Sequence, residues 1–209
     1  MRHIMVLNPK GGSGKTTLAT NLAAYYASEG QQVVLADFDP QASSMDWLAR
    51  RDESRPEIRG LAGYEEGLQG VGQPDMVFID APAGVRGPEL TELLRKVETV
   101  LIPVLPSPVD MEASTRFIQE LRNNARYGKV KAALVGNRVR DHTRITASLY
   151  RFLENQRVPY IGALRDTQNY VRAFDRGIGV WEMAPYMSYQ DWQQWDPIIE
   201  WLDSARSRP

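Results

Sequence analysis

Six apolar runs of strand length punctuate the chain, at 3–8, 32–37, 75–80, 99–105, 131–137 and 159–161. Between them the apolar positions recur at helical spacing, which predicts helices at 15–29, 41–51, 88–97, 110–126, 143–156 and 167–176. Several of the runs are continuous Val, Ile, Leu and Met, as strands covered on both faces are. Strand alternating with helix predicts a doubly wound α/β fold, a mainly parallel sheet with helices on both faces. The stretch 52–74, rich in Gly, Glu and Arg, has no such pattern and reads as a shortened connection. A last helix, about 190–205, sets Trp192, Trp195, Ile199 and Leu202 at spacings of three, four and three, the stripe of a core-packed helix.

Composition narrows this picture. The 209 residues, 43% of them hydrophobic, are enough for one sizeable core, and one domain over 1–209 is expected. The absence of cysteine excludes disulfides, iron–sulfur clusters and thiolate zinc sites and suits a reducing compartment. His3 lies in an apolar run and His142 in a polar loop, so neither points to a metal. The first apolar run is too short for a signal peptide or membrane span, and a cytoplasmic protein is expected. A net charge of −1 conceals an asymmetry: residues 121–180 hold twelve Lys and Arg against four Asp and Glu, the remainder thirteen against twenty-two. Such a chain can turn a basic face to a polyanion without being basic overall.

The chemistry begins at "NPKGGSGKTT", residues 8–17, where the first strand gives way to a helix. Gly11, Gly12, Ser13 and Gly14 form a turn that aims backbone N–H groups and a helix N-terminus at phosphate oxygens. Lys15 can reach the β and γ phosphates, Thr16 offers the hydroxyl that holds Mg²⁺ in such loops, and Thr17 continues the cradle. The usual spacing puts a glycine five places before Gly14; Pro9 stands there, and an extra lysine, Lys10, follows it. Carboxylates end the next strands: Asp37 and Asp39 in "VVLADFDPQASS" and Asp80 in "MVFIDAPAG". Asp80 is placed to hold the Mg²⁺ water shell, and Asp39 to orient or deprotonate the attacking water or join that shell. Asp37 is either an ordinary strand-end residue or part of the site.

Together "KGGSGKTT", "DFDPQ", "FIDAPAG" and "LIPVLPSPVDMEAS" at 101–114 resemble the deviant Walker A ATPases of the ParA and MinD family, over most of the chain. The resemblance implies binding of ATP and ADP with Mg²⁺ and slow, adaptor-stimulated hydrolysis. It implies that Lys10 crosses an ATP-dependent homodimer to the partner's phosphates, and that Asn137, ending "AALVGN", reads the adenine. Ala83, where many relatives have proline, and the shortened 52–74 stretch depart from the family pattern. With the phosphate loop starting at residue 9, the N-terminal DNA-reading domain of some plasmid relatives is not expected. Lack of cysteine sets it apart from the nitrogenase iron-protein and arsenite-pump branches, and the tail "LDSARSRP" from the tyrosine kinases.

Asp191, Asp196, Glu200 and Asp203 interrupt the last stripe and would repel an anionic membrane, so no membrane partner is expected. What remains is similar to the short ParA proteins that move plasmids, chromosomes, chemoreceptor clusters or carboxysomes over the nucleoid. "LRDTQNYVRAFDRGIGVWE" resembles their C-terminal segment, which implies non-specific DNA binding through Arg165, Arg172 and Arg176. A ParB-like or McdB-like cargo adaptor is implied as partner, and a nucleoid-associated location. The alternatives are a MinD-like or flagellar-placement ATPase that uses a membrane, and a ligase of the dethiobiotin synthetase type, which would lack the cross-dimer lysine.

Overall fold

Neighbouring residues of the first strand, β1 (Arg2–Val6), serve opposite faces of the sheet: Ile4 and Val6 enter one core, Met5 and the following Leu7 another. The same alternation recurs in β2 (Val33–Asp37), β4 (Met76–Asp80) and β5 (Thr99–Val104), whose residues are all buried. These are the continuous apolar runs, and burial on both faces is why they show no polar alternation. With β3 (Ile58–Ala62), β6 (Lys131–Val139) and β7 (Tyr160–Arg165) they form one seven-stranded parallel sheet, ordered β3-β2-β4-β1-β5-β6-β7. This computed structural model describes residues 1–209.

One face is covered by α1 (Lys15–Ser28), α2 (Ser43–Ala49), α7 (Gln168–Asp175) and α8 (Pro185–Asp203), which contribute Leu22, Trp47, Ala173 and Trp195 to a single cluster. After the short α3 (Gly63–Glu66), the other face receives α4 (Gly87–Leu94), α5 (Pro108–Asn123) and α6 (Arg144–Glu154) through Leu90, Phe117 and Leu149. The doubly wound parallel sheet expected from the alternation is therefore the observed fold. Helix α1 is buried almost all round, and its alanines let it lie close against the strands.

The stretch 52–74 is not a bare connection: it holds β3 and α3. β3 escapes a hydrophobicity reading because it is an edge strand, with Ile58 buried and Arg59 and Gly60 exposed. Gly60 has a packing reason, since a Cβ there would stand 2.7 Å from Leu48 Cδ2. Several other boundaries shift by one to three residues, and two move further. β7 runs to Arg165 instead of stopping at 161, and α8 starts at Pro185, five residues before the expected 190. The α8 stripe is committed to the core: Trp195, Ile198, Ile199 and Leu202 are buried, and Tyr26 donates from its hydroxyl to Asp203 at 2.8 Å. Arg2 also ties β1 to the end of α8 through the Leu202 carbonyl.

Candidate functional site

In a parallel sheet the strands all end at one rim, and the register sets Val6 beside Asp80 and Asp80 beside Asp37. The phosphate loop leaves β1 at this rim, so its glycines, the start of α1 and both buried carboxylates meet where doubly wound sheets place ligands. Gly14 occupies the left-handed region at φ 97°, and a Cβ there would lie 2.0 Å from Asn137 Nδ2. Only glycine permits that contact, through which Asn137 donates to the Ser13 carbonyl at 2.8 Å. Asn8 fixes the other end of the loop: its side-chain amide donates to the Pro103 carbonyl at 2.6 Å and its oxygen accepts from the Lys10 N–H at 2.8 Å. Gly84, after β4, donates to the Pro9 carbonyl at 2.9 Å and ties the two loops together.

The two lysines of the loop differ. Lys15 is 7% exposed and its Nζ lies 3.4 Å from the Lys10 carbonyl. Burial lowers its pKa, and the charges of Asp80 and Asp39 oppose that shift. Lys10 is half-buried, and its ammonium makes no ion pair. Gly11 and Gly12 beside it are exposed, with no atom within 4 Å of a Cβ at either position.

Asp80 is buried, and desolvation pushes its pKa up to about 6 against the pull of the Ser44 and Thr16 hydroxyls. Its Oδ2 accepts from the Ser44 hydroxyl at 2.6 Å, while its Oδ1 has no partner. A buried carboxylate oxygen without a donor, beside the hydroxyl of Thr16, fits a hard cation that arrives with phosphates and water, as Mg²⁺ does. Asp37 resolves into a clasp: its Oδ1 accepts from the Asp39 N–H at 2.9 Å, and its Oδ2 from the N–H of Ser44 at 2.8 Å and of Met45 at 3.4 Å. Burial raises its pKa as well, and the backbone donors oppose that shift. Asp39 is half-buried at the rim and caps its own loop, accepting from the Gln41 N–H at 3.0 Å. Within this loop Ala42 takes the left-handed φ of 53°, a conformation alanine adopts at a cost.

Beyond Thr17 a cavity of about 390 Å³ opens between α1, the end of β6 and α7, lined by Asn137, Arg138, Thr167, Val171 and Asp175 among others. Its size and its place at the loop suit a nucleoside. Asn137, one of the lining residues, is buried, and its amide is already engaged with the Ser13 carbonyl. A larger hollow, about 540 Å³, lies at the opposite rim around Gln32, Arg59 and Gln73, away from the carboxylates and the helix N-terminus.

The three C-terminal arginines do not share one environment. Arg165 pairs through Nε with the fully buried Asp191 at 2.5 Å and through Nη1 with Gln190, and it lines the cavity beyond Thr17. Asp191 also accepts from Asn169 Nδ2 at 2.7 Å, so it ties β7 and α7 to α8. It is not the solvent-facing charge that the α8 pattern suggested. Arg172 and Arg176 are exposed and unpaired, though α7 ends at Asp175, so Arg176 is the first residue past the helix. Arg55 and Tyr186 join Arg176 around a hollow of about 500 Å³, and Arg50 stacks on Phe174 at 5.3 Å. Arg50 and Arg55 belong to no motif; they reach this surface only through the fold. Ser44 and Asn8 were likewise unmarked, because their partners lie 36 and 95 residues away.

The family described as the CobQ/CobB/MinD/ParA nucleotide binding domain matches residues 4–180. The "maintenance of carboxysome distribution protein A" of Halothiobacillus neapolitanus is 31% identical over 190 residues, covering 87% of each chain. Among solved structures, the MinD cell division protein of Aquifex aeolicus superposes with a TM-score of 0.76 at 18% identity, covering 98% of both chains. The septum site-determining protein MinD of Pyrococcus horikoshii, complexed with Mg-ADP, gives 0.74 at 17% identity, covering 97% of this chain and 96% of that one. At such identities the structural likeness speaks for the fold alone.

Proposed function

Because the chain belongs to the CobQ/CobB/MinD/ParA nucleotide binding domain family, a family of ATPases, we propose that it is a ParA-type ATPase that dimerises on ATP, holds duplex DNA without sequence preference and positions a cargo over the nucleoid. The name of the 31% identical relative favours a carboxysome among the possible cargoes. The whole of 1–209 then acts as one ATPase domain in the cytoplasm, with a ParB-like or McdB-like adaptor stimulating slow hydrolysis.

In this assignment the N–H groups of Gly11 to Thr17 and the N-terminus of α1 bind the phosphates, and Lys15 neutralises the β and γ oxygens. The nucleoside enters the cavity at Thr17 and Asn137. Thr16 and Asp80 hold Mg²⁺, which when bound supplies charge neutralisation on the phosphate oxygens. Asp39, clasped at its N–H by Asp37, orients the attacking water. Lys10 neutralises the partner's phosphates, and two facing ATP molecules carry enough negative charge to make dimer closure depend on it.

The observation that carries this proposal is the contrast between the enclosed Lys15 and the unpaired Lys10, in a loop whose Gly11 and Gly12 leave open space above them. Light scattering with and without ATP tests it. Wild type should be a monomer alone and a dimer with ATP, Lys15→Ala should lose ATP binding, and Lys10→Ala should bind ATP as a monomer. A dimer that forms without ATP, or a Lys10→Ala variant that still dimerises, overturns the sandwich.

The membrane-using alternative finds less support. The α8 stripe that a membrane would need is packed in the core, and no helix is long and apolar enough to cross a bilayer.

A further inference from the structure

Ser44 is the first-turn residue of α2 and is fully buried, so its side chain cannot meet bulk water. Its hydroxyl donates to Asp80 Oδ2 at 2.6 Å, and its N–H donates to Asp37 Oδ2 at 2.8 Å. Since Asp37 Oδ1 takes the Asp39 N–H at 2.9 Å, the segment 39–44 is held at both ends by one carboxylate and joined to the neighbouring strand's carboxylate by one hydroxyl. Rotation about the Cβ–Cγ bond of Asp80 sets the plane of its carboxylate and so whether an oxygen faces the loop. With Oδ2 occupied by Ser44, Oδ1 is the oxygen left without a donor.

We infer that Ser44 is a positioning residue for the metal: its hydroxyl fixes the rotation of Asp80 so that Oδ1 is presented to Mg²⁺, and so makes the Asp39 loop and the metal carboxylate one mechanical unit. The two oxygens of a carboxylate are equivalent, but one held by nothing would sample a range of torsion angles about Cβ–Cγ and would have to be ordered each time the ion binds. A short hydrogen bond to a charged oxygen, in a place water does not reach, removes that disorder beforehand. The coupling runs both ways. An ion that stabilises this orientation of Asp80 also stabilises Ser44, and with it the loop that carries Asp39.

The competing account is that Ser44 merely satisfies a buried acceptor. In that case losing it lowers stability and leaves the requirement for Mg²⁺ where it was.

The test is a titration of a fluorescent ATP analogue against wild type, Ser44→Ala and Ser44→Cys, first in excess chelator and then over a Mg²⁺ series, with thermal unfolding as the control for folding. Ser44 can act this way only if Thr16 and Asp80 meet Mg²⁺ as proposed above; wild-type binding that is indifferent to Mg²⁺ would sink that assignment itself. Given a Mg²⁺-dependent wild type, Ser44→Ala should match it in chelator yet need about tenfold more Mg²⁺ for half of the gain, the size expected for one charge-assisted hydrogen bond. Ser44→Cys, which keeps a weak donor, should fall between.

An Ser44→Ala protein that folds and shows the wild-type Mg²⁺ requirement overturns the inference. So does one that loses nucleotide equally with and without the metal. Should neither variant fold, hydrogen exchange on wild type decides: the amides of 39 and 41–45 should gain protection when Mg²⁺ is added to the ADP complex, and no gain refutes the coupling.

Discussion

The strand-end rim and the α7–α8 surface are both charged, yet they are built on opposite terms. At the rim two buried carboxylates stand side by side, and almost every polar atom around them has a named partner: Asp37 takes three backbone N–H groups, Asp80 the Ser44 hydroxyl, Asn137 the Ser13 carbonyl. On and just past α7 the charges of Arg172 and Arg176 stand in water with no partner. A buried charge is worth what its neighbours make it, so geometry there is strict and single changes are costly. An exposed charge acts through number and field and tolerates rearrangement. Arg165 lies between the two surfaces in sequence but belongs, through Asp191, to the first kind.

The largest expected effect comes from Asp80. Its folded pKa of about 6 exceeds the ordinary 3.8, so in the nucleotide-free protein the neutral form is favoured on folding. That contribution is fully present below about pH 4, declines as pH rises toward 6 and is lost above, because the unfolded chain ionises first. A shift of roughly two units corresponds to about 3 kcal/mol. Asp80→Asn cannot ionise, so urea unfolding should show the variant gaining on wild type by about that amount between roughly pH 4 and pH 7. A gap that stays constant with pH would mean that the rim is wetter than its geometry indicates.

Next in size is the buried pair at the far end of the cavity. Asp191→Ala leaves the Arg165 guanidinium with Gln190 but without its counter-charge, and Asn169 Nδ2 without its carboxylate acceptor. Breaking a buried pair from one side costs on the order of 3–5 kcal/mol, and the 26% exposure of the Arg165 side chain brings this case below that range, to about 2–3 kcal/mol. Urea unfolding measures it. Replacing both partners together, Arg165→Met with Asp191→Leu, should recover most of the loss, since no uncompensated charge then remains. Equal losses in the single and double variants would place Arg165 with the surface arginines.

How far each region was legible in sequence follows the same division. The phosphate loop could be read because its backbone demands particular residues: Gly14 at φ 97°, a lysine next, a hydroxyl after that. Asp80 could be read because four apolar residues bring it to the end of a central strand. Ser44 could not, because its meaning depends on the register that sets Asp37 beside Asp80, a pairing between segments far apart in the chain that neither segment shows alone. Edge strand β3 was hidden because only Ile58 of its five residues is buried. Asp191 misled most: by spacing it belongs to the polar side of α8, yet α7 and β7 close over it and turn a surface carboxylate into an internal anchor.

The smallest effect on stability, and the clearest separation of the two kinds of charge, belongs to the exposed arginines. Changing Arg172 or Arg176 to Ala removes no buried contact, so unfolding free energy should move by no more than about 0.5 kcal/mol. Their role, as proposed, is to neutralise DNA phosphates, and each neutralised phosphate contributes about −0.9 to the slope of log affinity against log salt. Two such arginines on each chain of an ATP dimer give a slope of roughly −4, and removing one per chain should make it shallower by about 2, equally on unrelated duplexes. Arg165→Ala should do the reverse, costing stability while leaving the slope near the wild-type value, because its charge is already held by Asp191. Gel-shift titrations with ATP over a salt series measure the slopes, and urea unfolding measures the stabilities. If Arg165→Ala flattens the slope as much as Arg172→Ala, the buried pair opens on DNA and the boundary between the two regions has to be redrawn. If neither Arg172→Ala nor Arg176→Ala changes the slope, the phosphate contacts lie elsewhere, with Arg55, which lines the same hollow as Arg176, and Arg50, stacked on Phe174, the first to test.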